Sequence, residues 1–403
     1  MLRSMFSAVS GLRSHQAMMD VVGNNIANVN TAGYKSSAVV FEDLLSQVLK
    51  GAGSQNGNGG TNPAQVGLGV RVADISTSFT QGTSQLTGRT TDLAIQGDGF
   101  FVVKNAGQTL YTRAGNFTFD SGGTMVNPNG AVVQGWLADS SGKVDTNSTP
   151  TGLKLPIGQI LAPQRTQNVA IGGTVPADTA VGGSVVTSIS VFDRQGTEVP
   201  LQVTWTKTAA DTWTAAASTP AGAAGSTTVA FDPATGVPTP SSLTVTPAGS
   251  FGGSITVDLA DSTTPLREFA GKSTIAAVHQ DGYTTGSLQS FTISQEGLIS
   301  GVFSNGLTQP VGQVALAAFT NPAGLEKAGD TMYRTSVNSG VAQVGTAGGG
   351  GRGILSGGTL EMSNVDLSQE FTNLIVAERG FQANSRVITA SDELLQDLVN
   401  LKR

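Results

Sequence analysis

The sequence predicts a mainly β protein with an α-helix at each end, in a nested multidomain arrangement. Three observations carry this. Apolar residues recur every seven positions near the start (Met5, Leu12, Met19, Ile26) and near the finish (Leu360, Leu367, Leu374, Phe381, Ile388, Leu395) of 403 residues. A seven-residue period keeps one stripe on the same face of a gently supercoiled helix. Between the ends the chain is poor in helical pattern and rich in Gly, Thr, Ser and Val. Its 53 glycines and 12% charged residues suit sheets with tight turns. Finally, one style of β pattern is interrupted by another and then resumes.

The first helix is expected from Leu2 to about Ile26, loosened at its end by Gly23-Asn24-Asn25. Asn side chains compete for backbone hydrogen bonds and favour caps and turns. The second row that a coiled coil needs reads Val9, Gln16, Gly23 and Asn30 here, and Phe371, Glu378, Ser385, Asp392 and Val399 on the last helix. Much of it is polar. Each helix thus carries about half a seam, and a lone short helix is marginal in water. The ends should be loose in a free monomer and order when neighbours complete the packing. That points to polymerisation, through a coiled coil within the subunit or between subunits. Gly23 would let another helix approach. Asn24, Asn25 and Asn28 either cap locally or bond between packed helices.

An amphipathic stretch, Phe41 to Lys50, precedes the linker-like Gly51–Gly60 tract. From Val70 strands and hairpins begin: Asn116–Phe119 meets Thr124–Val126 across Asp120–Gly123. Alternation at Val199, Leu201, Val203 and Trp205, and at Ile255, Val257 and Leu259, marks strands with one buried face. The expected domains are 1–69 with 356–403 (terminal, helical), 70–159 with 271–355 (middle, β) and 160–270 (inserted outer, β).

Composition excludes much chemistry. A net charge of −6 offers no basic patch for nucleic acid. There is no cysteine, so disulfides and thiolate metal sites are out, and His15 and His279 stand in no ligand spacing. Gly271-Lys272-Ser273 lacks the earlier glycine of a phosphate loop, since position 266 is leucine. No enzyme activity, metal or cofactor is expected. Apolar runs are too short to span a membrane, and Arg13, His15 and Gln16 interrupt any signal-peptide core.

Ser10-Gly-Leu12, Met19–Asn28 and Asn30-Thr-Ala-Gly-Tyr-Lys35 resemble the N-terminal signature of bacterial flagellar rod and hook axial proteins. Leu360–Leu367, Glu378–Asn384 and Leu398–Leu401 are similar to that family's closing segment. Asp281-Gly-Tyr283, Gly312-Gln-Val314 and the inserted block favour its hook members over the shorter rod members, although the Gly51–Gly60 tract resembles a distal rod segment. The resemblance implies a self-assembled helical tube that joins motor rod to filament, bends and transmits torque. Its inner coiled coils would be the terminal helices. Implied partners are further copies of the chain, a distal rod protein, a hook cap protein, a hook–filament junction protein and the flagellar type III export apparatus. The implied location is extracellular, reached without a cleaved signal peptide. A secreted β-rich adhesin or carbohydrate-binding module is the alternative from another class, but aromatics at 6% are few for a sugar platform, and Trp205 and Trp213 in the inserted domain read as core.

Overall fold

A computed structural model describes residues 2–52, 61–139, 142–156, 160–249 and 251–400. Most of the Gly51–Gly60 tract lies outside the described residues. Two long helices, α1 (Leu2–Ala27) and α2 (Leu367–Asn400), bracket a chain of strands. Among the described residues no helix is long and apolar enough to cross a membrane. The chain divides into two compact units: Met1–Leu155 with Thr292–Ser300 and Pro310–Arg403, and Pro156–Phe291 with Gly301–Gln309.

The first unit is organised around Phe100–Asn105, which pairs antiparallel with Gln108–Thr112 and Val132–Leu137. The hairpin between Asn105 and Gln108 turns on Ala106 and Gly107, both with positive φ (47° and 86°). That is the primed geometry matching the twist of the strands. Both faces of the central strand are buried. Phe100 and Val102 pack with Tyr111, Trp136, Ala315, Ala317 and Tyr333 on one side. Phe101 meets Phe117 edge-to-face at 5.0 Å on the other. Thr118–Phe119 pairs with Met125–Val126, as the sequence suggests.

The amphipathic Phe41–Lys50 stretch runs through two strands. Ser37–Asp43 pairs with Val70–Thr77, and Ser46–Lys50 with Ala64–Gly67. Partners that far along the chain leave no local periodicity to read.

The second unit is a pair of sheets closed on one core. An antiparallel meander runs through Ser184–Phe192, Glu198–Ala209, Thr212–Thr219 and Gly222–Phe231. In the other sheet Asn168–Pro176 pairs in parallel with Ile255–Asp258 and Leu266–Phe269, and antiparallel with Ala276–Gln280. The expected boundary at residue 270 therefore falls too early, because Ala276–Gln280 completes this sheet. Trp205 and Trp213 are fully buried in the core, among Val169, Leu201, Val203 and Leu266. The Trp213 indole donates to Glu268 at 2.9 Å, and Lys207 lies 3.5 Å from the same carboxylate. Neither tryptophan is free to stack on a sugar.

Candidate assembly surface

The signatures at the two ends of the sequence meet in space. α1 and α2 run antiparallel: a methyl added to Gly11 would touch the Asn384 amide, one on Gly380 would touch the His15 ring, and Asn25 reaches Glu370. α2 begins where it does because the Asp366 carboxylate accepts the backbone N–H of Ser368 (2.9 Å) and Gln369 (3.2 Å), an N-cap that satisfies otherwise orphaned donors. Leu360 is consequently not a helix residue. It lies in the strand Thr359–Glu361, paired with Ser84–Leu86.

Met5, Leu12, Met19 and Ile26 are half-buried, as are Leu374, Phe381, Ile388 and Leu395, whereas Leu367 is exposed. The second rows differ from expectation. Gln16, Gly23 and Asn30 are exposed on α1, as are Phe371, Glu378, Ser385 and Asp392 on α2; the Val399 side chain lies outside what is described. The buried positions are Ala8, Gly11, Ser14, Val22 and Asn25 on α1, and Ala377 and Ser391 on α2. In heptad terms the companion row on α2 lies three residues after the first, through Ala377, Asn384 and Ser391, not four. Small residues bury there because the backbones approach closely, a role that Gly11 and Gly380 play. Gly23 has nothing within 4 Å of its would-be side chain.

The three asparagines divide the two roles between them. Asn25 is fully buried. Its side chain accepts from the Ser37 N–H (3.0 Å) and donates to the Ser37 carbonyl (2.8 Å) and to Glu370 (3.0 Å), so it ties α1 to the first strand and to α2. Asn28 caps locally, donating to the Asn24 carbonyl at 2.9 Å, and Asn24 accepts from the Tyr34 hydroxyl at 2.8 Å.

Below the helix pair lies a cluster that sequence reasoning missed. Lys35 and Glu361 form an ion pair at 2.6 Å with both side chains fully buried. Lys35 also donates to the Thr80 carbonyl (2.7 Å), and Glu361 accepts from the Gly82 N–H (3.0 Å) and from Arg113 (3.4 Å). Burial pushes the Lys35 pKa down from its ordinary value, although its bond to Glu361 and that carboxylate's charge pull the other way. Next to it, Asn364 accepts from the Ser36 N–H (2.8 Å) and donates to the Ser78 carbonyl (2.9 Å). A faint signal existed: Lys35 is the only Lys or Arg between Arg13 and Lys50, and Glu361 the only acid between Asp330 and Asp366. An isolated charge in a neutral stretch is either exposed or paired inside.

Apolar surface remains beyond the seam. On α2, Val376 (56% exposed), Val387 (42%) and Leu394 (55%) align with the exposed Ala383 and Ala390. At 3.6 residues per turn these five share one face.

The fold and this surface define a class: a β-rich chain whose two ends are stapled into one helix pair that still shows apolar surface. Four family models match it. They are the flagella basal body rod protein (residues 5–35), the flagellar hook protein FlgE/F/G D1 domain (94–176), the flagellar basal body protein FlaE D2 domain (174–283) and the flagellar basal body rod FlgEFG protein C-terminal (356–401). A flagellar hook protein FlgE of Borreliella burgdorferi is 41% identical, with all of both chains covered. A flagellar basal-body rod protein FlgG of Bacillus subtilis is 33% identical over the full length of both. The solved Helicobacter pylori flagellar hook protein FlgE2 shares the fold at a TM-score of 0.58 and 15% identity, over 69% of this chain and all of the other. The chain belongs to the family of flagellar hook proteins.

Proposed function

We propose that this chain polymerises with copies of itself into the tubular hook, a flexible joint that passes torque from rod to filament. In this reading the terminal helices form the inner layer, the strands of the first unit a middle layer and the second unit the outer surface. Its neighbours at the tube ends are a distal rod protein, a hook cap protein and a hook–filament junction protein. It reaches the cell exterior through the flagellar export apparatus. The observation that carries the proposal is the apolar face Val376–Leu394 left over on α2 after α1 has packed, since an exposed apolar row beside a formed seam asks for another helix.

Val387→Asp or Leu394→Asp tests it. In the monomer either carboxylate meets water, so thermal unfolding should shift little, within about 0.5 kcal/mol. In a tube the same charge is buried unpaired and costs several kcal/mol at every subunit. Electron microscopy should show no hooks. Normal hooks from either variant would remove this face from the assembly.

A further inference from the structure

A seven-residue apolar repeat does not fix its own register. If α2 slides by seven residues along α1, the row Leu374, Phe381, Ile388 and Leu395 falls back onto itself, so apolar packing alone hardly distinguishes the positions. The polar and glycine positions do. The His15 ring sits against Gly380, where an added methyl would lie 2.5 Å from Cε1 and Nε2. Reciprocally, the Asn384 amide sits against Gly11, where a methyl would lie 2.7 Å from its nitrogen. Each helix supplies one notch and one knob. The His15 ring also packs against Phe41, edge-to-face at 5.7 Å.

Slid by seven residues in either direction, the imidazole would face Asn373 or Val387 instead of Gly380. The Asn384 amide would face Ser4 or Met18 instead of Gly11, and Asn25 would lose Glu370. All three penalties fall on wrong registers and none on the native one, which is specificity by exclusion. We propose that the two reciprocal knob-and-notch pairs, His15/Gly380 and Asn384/Gly11, select the register of the terminal helices, while the apolar rows supply adhesion without choosing it. A tube of identical subunits needs every pair in one register, so the inference deepens the assembly reading and rests on it only for that consequence.

The absence of cysteine makes register directly measurable in the full-length chain. Met18 and Ala377 lie three residues along from His15 and Gly380 on the antiparallel helices, so Met18→Cys with Ala377→Cys reports the native register by forming an intramolecular disulfide under mild oxidation. The unsubstituted background should close this bond. Gly380→Ala should lower closure about tenfold by forcing a methyl into the ring, with β-sheet circular dichroism unchanged. His15→Ala added to it should restore closure, and Asn384→Ala should not. The mirror set follows: Gly11→Ala rescued by Asn384→Ala and not by His15→Ala. The proposal is overturned if the reporter pair does not close, if Gly380→Ala leaves closure unchanged, if His15→Ala fails to rescue it, or if Asn384→Ala rescues it equally well. Loss of tubes with this cross-linking pattern intact would count against the assembly reading instead.

Discussion

The helix pair and the core of the second unit satisfy their apolar residues in opposite ways. In the second unit alternate residues of strands such as Glu198–Ala209 and Thr212–Thr219 are driven inside, and Leu201, Trp205, Trp213, Val229 and Leu266 are all at 0% exposure. On the helices the seven-spaced rows are half-buried at best, and the positions that do close, Ala8, Gly11, Ser14, Val22, Asn25, Ala377 and Ser391, are mostly small. Burying an aromatic or branched side chain contributes about 1.5–3 kcal/mol, whereas small residues contribute little beyond allowing backbone approach. One region is complete as a monomer. The other leaves apolar surface that neighbours would cover in the proposed tube.

The largest contrast should come from removal. Deleting residues 1–27 and 367–403 should leave β-sheet circular dichroism and a cooperative unfolding transition in place while abolishing polymerisation, as sedimentation would show. Polymers from the trimmed chain would erase the distinction between the regions.

Single substitutions sharpen it. Trp205→Ala empties the core of the second unit and should cost about 3–5 kcal/mol in denaturant unfolding. Ile388→Ala, on a half-buried row, should cost the monomer well under that, about 1–2 kcal/mol, yet reduce assembly measurably. If the two monomer costs match, the seam is as complete as the core.

Between these extremes stands the buried pair below the helices. Lys35→Met leaves Glu361 buried with only Arg113 and the Gly82 N–H as partners. The expected loss is about 3–5 kcal/mol, because the carboxylate keeps only the longer 3.4 Å contact to Arg113 in place of the 2.6 Å bond to Lys35. Replacing Glu361 as well (Lys35→Met with Glu361→Leu) should recover little of it, because the buried Arg113 then loses its carboxylate partner. A double mutant restored to full stability would show that the buried Arg113 does not depend on Glu361. The smallest effect belongs to Gly23→Ala. In an open helical position this should stabilise the free chain by about 0.5–1 kcal/mol, unless a neighbouring subunit occupies that face in the tube.

The same comparison explains what was legible in the sequence. Strands of the second unit could be read from alternation, because each residue at Val199–Trp205 either faces a dense core or does not. The seven-residue period marks the half-buried rows Met5–Ile26 and Leu374–Leu395 but runs too far back on the last helix, since Leu360 lies in a strand and Leu367 is exposed. The second row could not be read, because a search for apolar side chains passes over Ala377, Asn384 and Ser391, which bury through closeness rather than size. Long-range pairings were also hidden. Ser46–Lys50 finds Ala64–Gly67 across a Gly-rich tract, Ala276–Gln280 returns to Asn168–Pro176, and Lys35 meets Glu361 from the opposite end of the chain. Local pattern carries no record of such distances.

Hydrogen exchange on the full-length chain, as free monomer and as assembled tube, tests the central claim most directly. The account predicts that amides of the second unit's core, such as those of Leu201–Trp205, are strongly protected in both states. Amides of α1 and α2 should exchange rapidly in the monomer and become protected in the tube. Helix amides already as protected in the monomer as those of the core would contradict it, because the helix pair would then be complete without neighbours.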